Sequence, residues 1–313
     1  MQDEREIAHV SASDQHSRSS RRGRWTRGTK LNAAFALLFV ILGLWAFWLE
    51  PASVRVVNTS VQVARWPAAC RGLRVAVLSD LHVGSPYNGI AKLQQIVVLT
   101  NAQQPDLVLL PGDFVIQGVA GGRFVSPESA AAVLATLRAP MGVYAVLGNH
   151  DHWLDATRVQ AALVRNGIAV LEDRSLRIQH GACALSLVGI SDFTEGRHDV
   201  QRALKDVPAG KDVPAGKDVP AGAAVLAFTH NPDVFPSIPA RVLLTIAGHT
   251  HGGQVYLPGI GRPIVPSEFG QRYAIGHVRE GGRDLFVSSG VGTSILPVRF
   301  LVPPEITLLQ ISR

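Results

Sequence analysis

From Leu73 onward, short apolar runs alternate with amphipathic segments, the pattern of an α/β protein. Helical periodicity follows the first three runs, at residues 88–103, 127–138 and 155–166, with Ser126 as N-cap, Pro127 at the first helical position and Gly167 as the stop. The apolar runs predicted as strands are 73–79, 106–110, 143–148, 184–190, 224–230, 242–249 and 285–290. We therefore expect mixed α/β layers around buried sheets.

Residues 31–49 depart from this pattern, because nineteen consecutive positions carry no charge. At about 1.5 Å per residue, a helix of this length spans about 28 Å, close to the thickness of a bilayer core. A buried soluble helix is the first alternative, but large apolar residues occupy every face. A cleaved signal peptide is the second, but residues 48–56 offer no convincing small-x-small cleavage site. We predict a retained transmembrane anchor.

The flanks of this segment predict its orientation. Residues 1–30, read as a disordered basic tail, carry seven Lys or Arg and four Asp or Glu, a net charge of +3. The basic residues nearest the anchor have no acidic residue among them, and the positive-inside rule places that end in the cytoplasm. We therefore predict a single-pass inner-membrane protein whose main domain lies outside the cytoplasm.

The remaining chain divides into three parts by composition. Residues 50–72 form a juxtamembrane linker whose alternation over 53–66 predicts an edge strand, and residues 73–313 form the main domain. Residues 205–222 repeat the hexapeptide KDVPAG three times. Pro and Gly in every copy exclude a helix or a central strand, so a surface loop is expected.

The overall formal charge of +6 does not indicate a nucleic-acid partner. Half of it lies in the N-terminal tail, and the rest is spread too thinly for a nucleic-acid footprint. Cys70 and Cys183 have no metal-ligand spacing, and both a disulfide and two buried free thiols fit the sequence.

Residue types that bind metals follow one predicted strand after another. Each has an ordinary alternative as a helix cap, a turn residue or a structural histidine. In open α/β sheets, however, ligands gather beyond the carboxyl ends of the strands. Glycines before Asp113, Asn149 and His249 are expected to let the backbone turn these side chains inward. The residues are Asp80, His82, Asp113, Asn149, His150, Asp151, His230, His249 and His251.

The ordered series D-x-H, G-D, G-N-H-D, H and G-H-T-H over residues 73–310 resembles the calcineurin-like metallophosphoesterases. The stretches 72–84, 248–259 and 287–306 resemble its bacterial membrane-associated YkuE-type branch. The resemblance implies two packed mixed β-sheets flanked by helices. The stretch after Asp113, FVIQG, departs from the family by lacking a second acidic residue that many members have.

Carried over by motif, the resemblance implies a centre of two divalent metal ions. Asp80, His82 and His251 would hold the first ion. The second ion would be held by Asn149, His230 and His249, and Asp113 would bridge the two. In the family, the histidine matching His150 acts on the substrate.

Physical chemistry supports the same reading of these residue types. Two divalent ions about 3.5–4 Å apart can share a hydroxide and clamp a phosphate for in-line attack. Mixed imidazole, carboxylate and amide ligands suit Mn, Fe or Zn better than Mg. His150 could stabilise the transition state and protonate the leaving alkoxide. Asp151 could orient His150 or cap a helix, and Arg299 is a weaker candidate to contact a substrate phosphate, with a surface arginine as the alternative.

Together these observations predict a membrane-anchored dimetal phosphoesterase that hydrolyses phosphodiester or diphosphate bonds, with lipid-linked phosphates as a candidate substrate class. The alternatives are a broad-specificity phosphodiesterase for soluble nucleotides, a nuclease of the same superfamily and a non-catalytic metal-binding scaffold. The low density of positive charge outside the N-terminal tail disfavours the nuclease. The complete set of predicted metal ligands disfavours the non-catalytic scaffold.

Overall fold

The computed structural model describes residues 26–208 and 224–313. Most of the predicted basic tail and residues 209–222 of the repeat lie outside these ranges, so the disordered tail and the surface loop remain predictions. The helices are α1 (Arg27–Leu44), α2 (Glu50–Ala52), α3 (Ile90–Ala102), α4 (Pro127–Leu134), α5 (Asn149–Arg165) and α6 (Val200–Ala203), with a π-helical stretch at Trp45–Leu49. The strands are β1 (Arg55–Gln62), β2 (Leu73–Val77), β3 (Leu107–Pro111), β4 (Val143–Val146), β5 (Ala169–Val170), β6 (Arg174–His180), β7 (Cys183–Ile190), β8 (Ala224–Thr229), β9 (Leu244–Ala247), β10 (Gly276–Glu280), β11 (Arg283–Val287) and β12 (Glu305–Ser312).

The strands form two mixed sheets of six strands each among the described residues. The first has the order β1-β12-β2-β3-β4-β5, and its only antiparallel pair is β12 with β2. The second has the order β10-β11-β9-β8-β7-β6, with antiparallel pairs at both edges. The expected fold class, two packed mixed sheets flanked by helices, is confirmed.

The two sheets pack face to face, and helices cover the outer face of the first. Val75 of β2 and Phe228 of β8 lie in the core between the sheets. Ala76, the neighbour of Val75, points instead to the layer that contains α3, α4 and α5. Central strands buried on both faces need apolar residues at every position. That requirement explains why β3 and most of β2 and β8 were visible in the sequence as apolar runs.

The predicted helices are present with shifted ends. The Ser126 side chain accepts a hydrogen bond from the backbone N–H of Ser129, as expected for the N-cap of α4. The third helix begins at Asn149 rather than at Asp155. The backbone of Asp155 is extended (φ 176°), and its carboxylate caps the second half of the helix by accepting from Arg158 N–H. The missed first turn carries Asn149 and His150.

The predicted linker 50–72 contains a strand that is integral to the first sheet. β1 pairs in parallel with β12 along its whole length, from Arg55 with Glu305 to Gln62 with Ser312. β1 is the edge strand of the first sheet and lies within residues 53–66, where the alternation predicted an edge strand.

Cys70 and Cys183 form a disulfide across 113 residues of sequence. Cys70 lies just before β2 of the first sheet and Cys183 begins β7 of the second. Both are buried in the core between the sheets. Of the two possibilities that the sequence left open, the structure contains the disulfide.

The N-terminal apolar segment is helical over Arg27–Ala52 and contains an 18-residue window with a mean hydropathy of 2.1. By length and composition it is able to cross a membrane. The large apolar side chains of α1 are exposed, which distinguishes it from the core helix of a soluble domain.

Candidate metal centre

The predicted ligands come together at one edge of the sandwich. Asp80 and His82 follow β2, Asp113 follows β3, and Asn149 opens α5 after β4. From the second sheet, His230 follows β8, while His249 and His251 follow β9. The carboxyl ends of parallel strands are where loops of α/β sheets converge. Side chains 169 residues apart in sequence, such as those of His82 and His251, are thereby brought into contact.

One group contains His82, His251 and Asp80. Nε2 of His82 lies 3.1 Å from Nε2 of His251, with the two rings stacked. Nε2 of His251 lies 3.5 Å from Oδ1 of Asp80. Three nitrogen and oxygen atoms with lone pairs therefore converge on one point.

A second group contains His230, Asn149 and His249. Nε2 of His230 lies 3.0 Å from Oδ1 of Asn149 and 3.0 Å from Nδ1 of His249. Asp113 lies between the groups, because its Oδ2 is 3.3 Å from Nε2 of His82 and 3.4 Å from Nε2 of His230. The position of Asp113 is the one that a bridging ligand requires.

These separations fit bound cations. Metal bonds of about 2.0–2.2 Å place neighbouring ligand atoms about 3.0–3.5 Å apart in octahedral or tetrahedral geometry.

The tautomers of two histidines also fit metal binding. Nδ1 of His82 faces the carbonyl of Val115 at 3.2 Å, and Nδ1 of His230 faces that of Pro111 at 2.8 Å. A carbonyl only accepts, so Nδ1 carries the hydrogen and Nε2 presents its lone pair to the cluster.

The electrostatics of the cluster favour positive charge. Burial raises the pKa of Asp80 and of Asp113, and burial lowers the pKa of His82 and of His251 well below the usual value. For His230, burial is outweighed by the carboxylates of Asp113, Asp80 and Asp192, which raise its pKa to about 9. The buried carboxylates create a negative potential, which raises the affinity of His230 for a proton and which a divalent cation would offset in place of that proton.

The backbone at this edge is strained in a way that the sequence did not reveal. Five predicted ligands have positive φ angles between 40° and 68°, a region that residues other than glycine rarely adopt. Such a conformation costs about 1–3 kcal/mol per residue and is typical of functional sites. The five are Asp80, His82, Asp113, His249 and His251.

Two glycines next to the ligands are required for space rather than for their dihedral angles. A Cβ at Gly148 would collide with the carboxylate of Asp113, and a Cβ at Gly248 would collide with Ser79 and with the carboxylate of Asp80. Neither glycine has a positive φ. The expected reason, a sharp turn, is therefore wrong at these two positions. The side chains of the ligands occupy the volume that a Cβ would need.

Asp151 holds two ligand loops together and does not orient His150. Its carboxylate accepts hydrogen bonds from the backbone N–H groups of Asp113 (2.8 Å), Phe114 (2.9 Å) and Gly148 (2.9 Å). Of the two roles expected for it, the capping role agrees with these contacts.

His150 is linked to Asp113 through the backbone, and its ring reaches the cleft. Its backbone N–H donates to Oδ1 of Asp113 at 2.9 Å. The ring packs on Trp153 with centroids 4.6 Å apart, and Nδ1 has no hydrogen-bond partner among the described residues. Burial and the charge of His230 lower the pKa of His150 to about 4. Nε2 lies 3.5 Å from Oγ of Ser294, and both residues line the cleft. The ring is thus a neutral imidazole with one N–H at the wall of the cleft.

Arg299 does not contact the cleft, so its predicted role in substrate binding is wrong. It is fully buried, and its guanidinium donates to the backbone carbonyls of Ser289, Gly290, Gly292 and Val302. All of its donor groups hold the loop after β11 in place. The side chain stabilises this loop and cannot reach a phosphate.

A cleft of about 420 Å³ opens onto the cluster. Several residues of its wall were not identified from the sequence, including Gln117, Trp153, Ile264, Pro266 and Ile295. No motif marks them, because they come from loops whose only shared property is their position around the metal ligands.

Comparison with known proteins gives a consistent result. The family profile of the calcineurin-like phosphoesterases matches residues 73–253. The chain is 27% identical to the uncharacterized metallophosphoesterase YkuE of Bacillus subtilis over 85% of this chain and 88% of that protein. It is 30% identical to the phosphodiesterase YaeI of Escherichia coli, over 76% and 82% respectively. It is 24% identical to the UDP-2,3-diacylglucosamine pyrophosphatase LpxG of Chlamydia trachomatis, over 87% and 93%.

Proposed function

The chain belongs to the calcineurin-like phosphoesterase family, and on that premise we propose that it is a membrane-anchored dimetal hydrolase of phosphodiester or diphosphate bonds in lipid-linked substrates. The observation that carries the proposal is the position of Asp113, whose Oδ2 lies within 3.4 Å of histidines from both ligand groups. A relative named as a phosphodiesterase and another named as a pyrophosphatase support the two bond types.

We assign the ligands as the motifs imply. Asp80, His82 and His251 would hold one divalent ion. Asn149, His230 and His249 would hold the other, and Asp113 would bridge them. Mn, Fe or Zn suits this mixture of imidazole, carboxylate and amide better than Mg. Bound there, the pair would supply Lewis acidity toward the phosphate and an activated water for attack on phosphorus.

The chain's own residues contribute position and hydrogen bonds. Asp151 fixes the backbone of Asp113 and of Gly148, so the bridging carboxylate and the start of α5 keep one geometry. His150, neutral at pH 7, has one N–H to donate to a phosphoryl oxygen as negative charge develops there. An approaching phosphate anion would raise the pKa of His150, which would allow it to protonate the leaving oxygen.

The test of this function is metal-dependent hydrolysis of a generic diester. We expect the full-length chain, purified in detergent, to cleave bis-p-nitrophenyl phosphate, to stop after chelation, and to recover with Mn²⁺, Fe²⁺ or Zn²⁺ more fully than with Mg²⁺. Hydrolysis that persisted unchanged after complete removal of metal would contradict the proposal.

The disulfide supports an extracytoplasmic location for the catalytic domain. Cytoplasmic thiols are kept reduced, whereas disulfides form and persist in oxidising compartments. Cys70 and Cys183 are paired, and the basic flank of the anchor predicts the same orientation. The anchor would then keep the cleft close to lipid headgroups, where a lipid-linked phosphate is concentrated.

A fusion experiment tests the orientation. Alkaline phosphatase joined after Arg313 is expected to be active, because it folds only after export, whereas green fluorescent protein at the same point should remain dark. Fluorescence with no phosphatase activity would place the domain in the cytoplasm and remove the support for the predicted topology.

A further inference from the structure

Two loops beside the cleft expose large apolar side chains to solvent. One runs through residues 254–264 and the other through residues 294–302. Ile264 is 77% exposed and Ile295 is 72% exposed. Contiguous exposed apolar surface on a soluble domain marks a site of interaction with a partner, a ligand or a membrane. We call this surface the apolar rim; its members are Tyr256, Ile260, Ile264, Ile295, Leu296 and Leu301.

The rim borders a groove that continues from the metal cleft. The groove has a volume of about 310 Å³, and its wall is mainly apolar, with Val255, Pro263, Leu296 and Val298 among its residues. Ile264 and Ile295 line both the groove and the cleft. A ligand whose phosphate lies at the metals can therefore extend an apolar tail along these two isoleucines.

The backbone at Ile295 shows that folding alone does not favour isoleucine there. Ile295 has a φ of 63°, a region in which a β-branched residue is an outlier. The backbone N–H of Ala120 donates to the Ile295 carbonyl at 2.9 Å and helps to hold this conformation. The Gln254 side chain holds the preceding residue, because it donates to the Ser294 carbonyl and accepts from the Ser294 backbone N–H. Asparagine or glycine would suit this position better and would expose less apolar surface.

The rim is tied to the end of the apolar N-terminal segment. The backbone N–H of Arg299 donates to the carbonyl of Ala46 at 2.9 Å. The buried carboxylate of Glu50 accepts from the backbone N–H groups of Leu301 (3.0 Å) and Val302 (2.6 Å). The loop 294–302 is thus fixed against the last turns of the segment proposed to cross the membrane.

We infer that the groove binds the hydrocarbon chain of a lipid-linked phosphate taken from the bilayer beside the anchor, with the apolar rim in contact with the membrane surface. The inference rests on the proposed function and deepens it, because it assigns a site to the apolar part of the substrate. It follows from the continuity of groove and cleft, from the exposed side chains that border them, and from the hydrogen bonds that hold this loop to Ala46 and Glu50.

The test compares two diesters with the same leaving group, p-nitrophenyl hexadecyl phosphate and p-nitrophenyl methyl phosphate, both presented in the same mixed micelles to the full-length chain. We expect wild-type protein to prefer the hexadecyl diester in kcat/KM.

Leu296→Ser, which alters the groove outside the cleft, should lower this preference about tenfold through lost apolar contact. Ile295→Asn should lower it similarly and raise the unfolding midpoint, because asparagine tolerates the positive φ. Val98→Ser, at an exposed position on α3, is the control and should change neither rate.

The outcomes separate the two proposals. No metal-dependent cleavage of either diester would contradict the proposed function itself. Cleavage of the methyl diester without preference for the hexadecyl diester, or a preference unchanged in both groove variants, would overturn the groove assignment alone. A wild-type dimer in micelles that Leu296→Ser dissociates would also overturn it, since the rim would then be covered by a second copy.

Discussion

Asp113→Asn is expected to lose bound metal and to reduce turnover by at least about a thousandfold, equivalent to about 4 kcal/mol of transition-state stabilisation. The carboxylate faces histidines of both ligand groups, His82 at 3.3 Å and His230 at 3.4 Å. Asparagine has the same shape but no charge, so the two proposed sites would lose the anion they share. Elemental analysis and bis-p-nitrophenyl phosphate turnover on the same preparation measure both effects.

His150→Ala is the matched control for this variant. We expect it to keep both metal ions and to lose about 10²–10⁴ in rate, the usual contribution of a group that donates a hydrogen bond or a proton in the transition state. The difference between the two variants lies in metal content. Two ions and normal turnover in Asp113→Asn would refute the bridging assignment.

Loss of the disulfide is expected to lower the free energy of unfolding by about 4–5 kcal/mol, because the bond closes a loop of more than 100 residues in the unfolded chain. The bond joins the segment before β2 to the start of β7, so it also connects the two sheets. The comparison is a urea titration of wild-type protein against the double variant Cys70→Ala and Cys183→Ala.

Reduction provides the control for this prediction. A reductant present during unfolding should lower the midpoint of wild-type protein toward that of the double variant and leave the double variant unchanged. A loss of under about 1 kcal/mol in the variant, with wild-type protein insensitive to reductant, would mean that the two thiols are not bonded in the native protein.

Much of the architecture was accessible from local pattern. β3 and most of β2 and β8 are buried on both faces, so they appear in the sequence as apolar runs, interrupted only by Arg74 in β2 and ending with Thr229 in β8. Alternation indicated the edge strand β1, but other strands at or near the sheet edges were harder to recognise. β6 and β10 each have partly exposed positions and give no such run. Their places depend on antiparallel pairing with neighbours, which no local pattern specifies.

The first turn of α5 illustrates the same limit at the site. Helical periodicity begins only after Asp155, where the backbone is extended, and so the sequence placed the helix start six residues late. The first turn forms because Asp151 accepts backbone hydrogen bonds from the loop of Asp113. A contact between residues 38 positions apart thus determines a local structure.

The sequence by itself determined the family, the fold class, the apolar N-terminal segment and the set of metal-binding residue types at successive strand ends, because each of these is expressed in residue identity and order. Only the tertiary structure decided that Cys70 and Cys183 are bonded, that Arg299 is enclosed by carbonyls, and that the groove beside Ile295 opens into the cleft. The enclosure of Arg299 depends on how its own loop folds around it, because the carbonyls it binds lie at most 10 residues away in sequence. The disulfide and the groove depend on distances between segments far apart in the chain. Such distances are set when the two sheets pack and the carboxyl ends of their strands meet at one edge.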